Sequence, residues 1–211
     1  VYTADLIPIT DGTVVVNIPA DVAEDTAGNG NTAATQFSIE YDTTPPEVTS
    51  FMFVSTHTKL SVIDPIVEFS EDVIGFDPSK VLVENGSYNR FDYFTPSKLA
   101  LYISPNVEGL IEITISEGVV TDKAGNRYVS SNQLSIVYDI TPPTLTINQS
   151  SSQDDPTNSQ PINFIATFSE PILSYTFGAG DLTIEGITET PTITITENAP
   201  NDGTTFNIAL S

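Results

Sequence analysis

The chain carries one short motif twice, as Asp25-Thr-Ala-Gly-Asn29 and as Asp122-Lys-Ala-Gly-Asn126. Each copy leads through a polar segment into a tyrosine-aspartate-proline sequence, first Tyr41-Asp-Thr-Thr-Pro-Pro46 and then Tyr138-Asp-Ile-Thr-Pro-Pro143. Equivalent positions in the two copies are 97 residues apart without a gap, as Asp25 and Asp122 show. A fixed period close to the length of one small domain indicates a tandem repeat.

The similarity extends beyond the motif in both directions. Asp11–Ile18 aligns with Glu108–Ile115 at the same offset, and Phe69-Ser-Glu71 recurs as Phe168-Ser-Glu170. We therefore predict three segments: residues 1–44 as the C-terminal half of one repeat, 45–141 as a complete repeat, and 142–211 as the N-terminal part of a third. Because a half-repeat cannot bury its apolar face alone, we expect the chain to be a window of a longer protein.

The charge of the chain excludes some classes of partner. The chain has six Lys and Arg residues and 28 Asp and Glu residues, for a formal net charge of −22. No Lys or Arg follows Arg127 in the sequence. Nucleic-acid binding requires cations that displace phosphate counterions, so we expect no nucleic-acid partner and no attraction to anionic lipid. The same negative charge attracts divalent cations, and dissolved salt screens the repulsion between the carboxylates.

Cysteine usage and hydropathy bear on the compartment. The chain has no cysteine, which excludes disulfides and thiolate metal sites and fits a bacterial surface protein or any other thiol-free compartment. No run of eighteen apolar residues is present, so we expect no direct membrane insertion. We predict an extracellular, cell-surface location.

Short alternating runs between Gly, Pro, Asn and Asp turns predict an all-β chain. In the complete repeat we expect seven strands, lettered A to G. Strand E has Leu99, Leu101 and Ile103 inward, strand F has Ile111, Ile113 and Ile115 inward, and strand G has Leu134, Ile136 and Tyr138 inward. Strands A to D are expected near Val48–Phe53, Pro65–Ser70, Lys80–Glu84 and Asn89–Phe94.

Seven short strands in about one hundred residues match an immunoglobulin-like sandwich of two sheets. The Cys…Trp…Cys pattern of antibody domains is missing, so the core must rest on aliphatic and aromatic packing. If successive strands alternate in direction, the B–C loop, which starts at Glu71, and the F–G loop at Asp122 lie at the pole where the linker residue Asp42 enters. We expect these acidic residues to converge there.

The motifs resemble those of the tandem immunoglobulin-like repeats of giant bacterial surface and adhesin proteins. In that family an F-S-E-P segment, a D-x-A-G-N loop and a Y-D-x-T-P-P linker recur. Here they correspond to Phe168-Ser-Glu-Pro171, Asp25–Asn29 and Tyr41–Pro46. In the complete repeat the F-S-E-P segment reads Phe69-Ser-Glu-Asp72, with Asp72 in place of the proline. The resemblance implies a non-catalytic spacer or stalk whose partners are neighbouring repeats of the same chain.

Calcium at the junctions is the sharpest site hypothesis, since calcium takes six to eight oxygen ligands in irregular geometry. The resemblance to adhesin repeats with interdomain sites makes it plausible. One site would use Asp42, Glu71, Asp122 and Asn126, and Asp139 and Glu170 would begin a second. The alternative is that Asp122 only caps a tight turn with Gly125 at positive φ, and that Asp42 and Asp139 only start the proline linkers.

Other functions have less support in the sequence. The only histidine is His57, placed in the predicted A–B loop, and no nucleophile motif occurs, so we expect no enzyme activity. Two further alternatives stay open. The array could assemble into a surface filament, or the chain could bind glycan or protein through the aromatic D strand, which carries Tyr88, Phe91, Tyr93 and Phe94.

Overall fold

The computed structural model describes residues 3–211 and is almost entirely β-structure. The chain divides into two compact units; the first ends at Ile140 and the second is Thr141–Ser211. The all-β prediction is confirmed. The further division at residues 44 and 45 stays a prediction. None of the helical turns in the described residues is long and apolar enough to cross a membrane.

The first unit begins with a two-stranded antiparallel hairpin. Strands β1 (Gly12–Val16) and β2 (Phe37–Tyr41) pair so that Gly12 lies opposite Tyr41 and Val16 opposite Phe37. The Asp25–Asn29 motif forms a turn in the loop between them. Val14 and Val16 share one face of the hairpin with Ile39 and Phe37, and the opposite face carries Thr13, Val15, Ser38 and Glu40.

The rest of the first unit contains eight strands, and the seven predicted ones are confirmed to within about three residues. They are β3 (Val48–Met52), β4 (His57–Thr58), β5 (Ile66–Phe69), β6 (Val81–Glu84), β7 (Gly86–Thr95), β8 (Lys98–Pro105), β9 (Gly109–Ile115) and β10 (Asn132–Tyr138). Two four-stranded sheets result, with the orders β3-β5-β8-β7 and β4-β10-β9-β6.

One hydrophobic core joins the two sheets. It contains the fully buried Leu99 and Leu101 of β8 from one sheet and Ile111 and Ile113 of β9 from the other. Side chains that alternate along a strand point to opposite faces, so each sheet presents one apolar row to its partner. Burying one such aliphatic side chain contributes about 1.5–3 kcal/mol, so the rows together supply most of the packing energy.

The prediction that His57 lies in a loop between strands A and B is wrong. His57 and Thr58 form β4, which pairs in parallel with Val137 and Tyr138. Ile63 is fully buried and exchanges two backbone hydrogen bonds of 2.9 Å with Ile103. A two-residue strand is too short to show an alternating pattern, which is why the sequence does not reveal it.

Strand β7 keeps two aromatic rings on the core side although they are an odd number of residues apart. Tyr88 and Phe91 both pack against the core, and a register shift lies between Tyr88 and Arg90. A β-bulge of this kind inserts one extra residue and changes which side chains face inward. Simple alternation therefore misassigns part of this strand.

The second unit has a single four-stranded sheet. Its strands are β11 (Leu145–Gln149), β12 (Ile162–Phe168), β13 (Ile193–Glu197) and β14 (Thr205–Leu210), in the order β11-β12-β14-β13. Ala166, Phe206 and Ile208 form its buried centre. The sequence Leu182-Thr-Ile-Glu-Gly186 is similar to Val81-Leu-Val-Glu-Asn-Gly86, which contains β6, but it does not form a strand. Strand β6 pairs with β9, and this unit contains no described counterpart of β9.

Candidate metal centre

The Asp122 motif forms a tight turn between β9 and β10. Asp122 Oδ1 accepts hydrogen bonds from the N–H groups of Gly125 (2.6 Å) and Asn126 (2.8 Å), and Oδ2 accepts one from Asn126 Nδ2 (2.8 Å). Gly125 has φ +99°, a conformation that costs a residue with a Cβ more than it costs glycine. The carboxylate therefore caps this turn, as the alternative interpretation predicts.

The Asp25 motif forms the same turn without the burial. Asp25 Oδ1 accepts from the N–H groups of Ala27 (2.8 Å) and Asn29 (2.9 Å), and Oδ2 accepts from Asn29 Nδ2 (2.9 Å). Asp25 is exposed, whereas Asp122 is only 1% exposed. The motif thus determines the turn locally, and the surrounding chain determines what else its carboxylate meets.

Three acidic residues from distant parts of the sequence meet beside the Asp122 turn. One carboxylate oxygen each of Asp42, Glu71 and Asp122 lies within 4.8 Å of the others. Asp42 directly follows β2, and Glu71 lies two residues after β5. The chain therefore brings together three of the six residues that the sequence singles out as metal ligands.

The cluster perturbs the protonation of two of its members in opposite directions. Burial raises the pKa of Glu71, and the neighbouring charges of Asp122, Asp42 and Asp72 raise it further. Burial acts in the same sense on Asp122, but hydrogen bonds from Asn126 and Gly125 outweigh it and lower the pKa of that carboxyl. Like charges held close together resist joint ionisation, and a bound cation would relieve that repulsion.

Asn126 enters the cluster as a hydrogen-bond donor. Its Nδ2 donates to the backbone oxygen of Asp42 (3.1 Å) as well as to Asp122. Asp42 itself accepts a hydrogen bond of 2.9 Å from the N–H of Thr44 through Oδ1. Asn126 therefore ties the linker to the turn, and its predicted role as a direct ligand stays a prediction.

The second predicted site involves residues of two separate units. Asp139 lies at the end of the first unit, where its N–H donates to the backbone oxygen of Thr58 (2.9 Å), and Glu170 follows β12 in the second. Their proposed role as ligands stays a prediction.

An open cleft of about 480 Å³ lies beside the cluster and is bordered by two of its members, Asp42 and Glu71. Glu40, Asp42, Glu71, Asp72, Lys123 and Ala124 line it. Lys123 Nζ lies 3.0 Å from Asp72 Oδ2, an exposed ion pair of the kind that stabilises little. Asp72 is equivalent to Pro171 in the sequence comparison, and Lys123 is equivalent to Thr26. Both residues of this ion pair therefore differ from the residue at the matching position. The sequence shows both departures but not their pairing.

The donor set suits a hard cation. Carboxylate and carbonyl oxygens are the ligands that calcium and magnesium prefer, and the described cleft offers neither thiolate nor imidazole. Calcium accepts irregular geometry and would complete its shell with backbone oxygens and water. These residues would suit a hard cation of either kind, and the same residues explain the turn and the linker start without one.

The aromatic D strand is partly exposed at its far end. Phe91 packs on Phe76 with ring centroids 4.4 Å apart, whereas Tyr93 and Phe94 are 41% and 59% exposed. These two residues border a shallow hollow with Val73 and Pro96. Core packing thus accounts for Tyr88 and Phe91 and leaves part of the aromatic surface of Tyr93 and Phe94 exposed to solvent.

A comparison of the chain with known protein families, curated proteins and solved structures found no match. The resemblance to adhesin repeats therefore rests on the motifs alone. Strand order, turn geometry and charge carry the functional inference that follows.

Proposed function

We propose that this chain is a non-catalytic spacer segment of a long extracellular repeat protein of the adhesin type, made of consecutive immunoglobulin-like sandwiches. The strand orders β3-β5-β8-β7 and β4-β10-β9-β6 support the fold. Lettered by position, they read A-B-E-D and A′-G-F-C, an order that supports a constant-type immunoglobulin arrangement with a split first strand.

Matching hydrogen bonds support the repeat. The hairpin pairs Gly12 with Tyr41, and β9 and β10 pair Gly109 with Tyr138 at the 97-residue offset. In the other half, the Ser70 N–H donates to the Glu47 oxygen (2.8 Å), and the Ser169 N–H donates to the Thr144 oxygen (2.9 Å). Matching pairs at these distances favour copies of one fold over accidental sequence similarity.

The linker contact carries the spacer proposal. Asp11 Oδ1 accepts hydrogen bonds from the N–H (3.0 Å) and Oγ1 (2.7 Å) of Thr43, and Asp11 Oδ2 accepts one from Thr44 Oγ1 (2.6 Å). Asn126 holds the same linker from the other side through the Asp42 oxygen. A segment fixed at both flanks transmits orientation from one repeat to the next.

The next linker begins with an equivalent contact. Glu108, which the repeat aligns with Asp11, accepts a 2.8 Å hydrogen bond from the N–H of Ile140, which aligns with Thr43. The Pro-Pro pair that follows adds stiffness, because proline fixes φ and biases the preceding residue toward extended backbone. An acid at this position thus acts as a linker clamp in both copies.

Hydrogen exchange of the linker amides tests the spacer proposal. We expect the Thr43 amide to be protected in the full chain and to exchange at least tenfold faster in Asp11→Ala. Glu40→Ala is the matched control, since Glu40 lies on the same hairpin and contacts Thr13 instead of the linker. Equal exchange of the Thr43 amide in the native chain and in Asp11→Ala would reject the clamp.

We further propose that calcium binds at Asp42, Glu71 and Asp122 and stiffens the first linker. It would join a linker residue to two loops of the following sandwich. Binding to the folded state alone raises the melting temperature in proportion to the logarithm of ligand concentration. We expect calcium to raise the melting temperature over that in chelator, and Glu71→Gln to remove most of this rise. An unchanged melting temperature in millimolar calcium would reject the site.

The exposed end of β7 favours one second candidate, a glycan- or protein-binding module. Tyr93 and Phe94 present aromatic surface beside a hollow, as ligand sites often do. A glycan array tests this candidate, with Tyr93→Ala expected to lose any signal. Tyr175→Ala, which removes an exposed tyrosine of the second unit, is the control. Binding that survives Tyr93→Ala would exclude the β7 surface.

A further inference from the structure

Strand β4 joins the beginning of the complete repeat to its last strand. The Val137 N–H donates to the Thr56 oxygen (2.8 Å), and the Asp139 N–H donates to the Thr58 oxygen (2.9 Å). Among the described strand pairs of this repeat, the β4–β10 ladder alone is parallel, and all the others are antiparallel. It is also short, because only His57 and Thr58 belong to it on the β4 side.

The directions of the strands follow from their ladders. Strands β3 and β8 both run antiparallel to β5, so these two share one direction. The connection from β8 to β9 spans only residues 106–108, so the chain reverses there, and β10 is antiparallel to β9. Strands β3 and β10 therefore run the same way, and the chain enters the sandwich at one end and leaves it at the opposite end.

Tension on the chain loads the β4–β10 ladder along its strands. A force applied at the two ends of the repeat draws β3 and β4 one way and β10 the other way, each along its own axis. The hydrogen bonds of the ladder then bear the force together and have to break in a single step. When two strands are instead pulled apart from one end, their hydrogen bonds break one after another, and the force required is lower.

The chain on either side of β4 offers less resistance to such a force. Strand β3 comes first, but a register shift between Val48 and Ser50 interrupts its ladder with β5. Its side chains Val48 and Phe51 pack on the core only as partly buried residues, so its release leaves the core in place. After β4 the chain turns back, because β5 is antiparallel to β3, and tension then peels β5 from Ile66 onward. Release of β4 from β10 is therefore the step that opens the sandwich.

Contacts around the ladder hold both of its strands in place. Thr58 Oγ1 accepts a hydrogen bond from the Leu60 N–H (3.1 Å), and Ser55 Oγ accepts one from the His57 N–H (3.2 Å). On its other side, β10 is paired with β9 along all seven of its residues. The ladder thus links a locally stabilised short strand to a strand that is held along its whole length.

We propose that the β4–β10 ladder is the load-bearing contact of the repeat, a short parallel link that sets the force at which the sandwich unfolds. This function goes beyond the linker clamp, which fixes the orientation of a repeat and not its resistance to force. It rests on the spacer proposal, because only a chain that is held at both ends experiences such tension.

Pulling single molecules of the full chain from two pairs of points tests the direction of loading. The native chain has no cysteine, so introduced cysteines at exposed positions are unique attachment points. Glu47→Cys with Ile140→Cys loads the ladder along its strands and leaves the hairpin and the second unit outside the loaded segment. Lys59→Cys with Ile140→Cys attaches both handles where β4 and β10 end together, so the ladder opens bond by bond. Since forced unfolding reports the unfolding barrier, we expect the first pair to need about twice the force of the second at equal loading rate.

A proline variant tests the hydrogen bonds themselves. Val137→Pro removes the N–H that donates to the Thr56 oxygen. Ser135→Pro is the matched control, because its N–H points to the same edge of β10, at a position where β4 has no residue opposite. With the Glu47 and Ile140 handles, Val137→Pro should lower the unfolding force by about half, and Ser135→Pro should lower it clearly less.

Equal forces for the two handle pairs, or equal losses in the two proline variants, would overturn the inference. If urea unfolding shows that Val137→Pro does not fold, the comparison of the two handle pairs, which needs no proline, decides alone. Protection of the Thr43 amide reports the linker clamp and the unfolding force reports the ladder. Failure of the spacer proposal is therefore distinguishable from failure of the load-bearing contact.

Discussion

At the residue scale, Asp25 and Asp122 show how far a short motif determines structure. In both turns the carboxylate accepts three hydrogen bonds. Those from the N–H and Nδ2 of Asn29 and of Asn126 are equivalent, whereas the third comes from the Ala27 N–H in one motif and the Gly125 N–H in the other. The sequence predicts this turn because aspartate and glycine have specific roles in it. Burial of Asp122 could not be predicted from the motif, since it depends on loops that are distant in sequence.

Removing the two carboxylates should therefore have unequal effects. Asp122→Ala leaves the N–H groups of Gly125 and Asn126 without their acceptor in a part-buried site, at a cost on the order of 3 kcal/mol of unfolding free energy. Asp25→Ala removes comparable contacts from an exposed turn, where water replaces them, so its loss of unfolding free energy should be clearly smaller. Urea unfolding measures both, and equal losses would contradict the role of burial.

The acidic cluster predicts an unusual pH dependence in metal-free protein. The raised pKa of Glu71 means that the folded state holds a proton more tightly than the unfolded state does. Stability therefore falls as pH rises from the ordinary value of 4.5 through the raised pKa. The lowered pKa of Asp122 acts oppositely: its contribution is present above the ordinary value of 3.8 and is lost as pH falls through the folded-state pKa.

Glu71→Gln should accordingly stabilise the protein at pH 7 in chelator. It should also reduce the loss of stability that occurs as the pH rises above 4.5. Thermal unfolding as a function of pH measures this, with the exposed Glu117→Gln as a control that should change neither. In calcium the proposed site predicts the opposite effect: Glu71→Gln should lower the stability relative to the native protein, because the variant lacks one carboxylate ligand. Destabilisation by Glu71→Gln in chelator would show that the three carboxylates do not repel one another.

At the element scale, alternation of apolar residues predicts a strand well where a strand is long and half buried. Strands β8 and β9 are such cases, with every second residue in the core. Strand β4 and the bulge of β7 could not be predicted, because one is two residues long and the other depends on its pairing partner. Residues 182–185 show the same limit: an apolar pattern forms a strand only beside a partner.

Core packing along β8 predicts a clear contrast between two leucines. Leu101→Ala removes a fully buried side chain and should cost about 2–5 kcal/mol of unfolding free energy, through lost transfer energy and a cavity. Leu82→Ala on β6 removes one that is 57% exposed and should cost about 1 kcal/mol or less. Chemical denaturation distinguishes them, and a loss below 1 kcal/mol for Leu101→Ala would contradict the common core.

At the scale of the whole molecule, the 97-residue period predicts the succession of repeats, and strand alternation predicts that Asp42, Glu71 and Asp122 meet at one pole. What the period cannot predict is the linker clamp. Asp11 and Thr43 lie 32 residues apart, and their contact depends on how the hairpin and linker fold back together. Its recurrence at Glu108 and Ile140 is visible only once both backbones are placed.

The distance between two equivalent points on successive repeats tests the clamped linker most directly. Ser38 and Ser135 are exposed, equivalent at the 97-residue offset, and lie on β2 and β10 of the first unit. Spin labels on Ser38→Cys and Ser135→Cys should give one narrow distance distribution by pulsed electron resonance, and Asp11→Ala should broaden it. A broad distribution in the otherwise native chain, unchanged by Asp11→Ala, would contradict a clamped spacer.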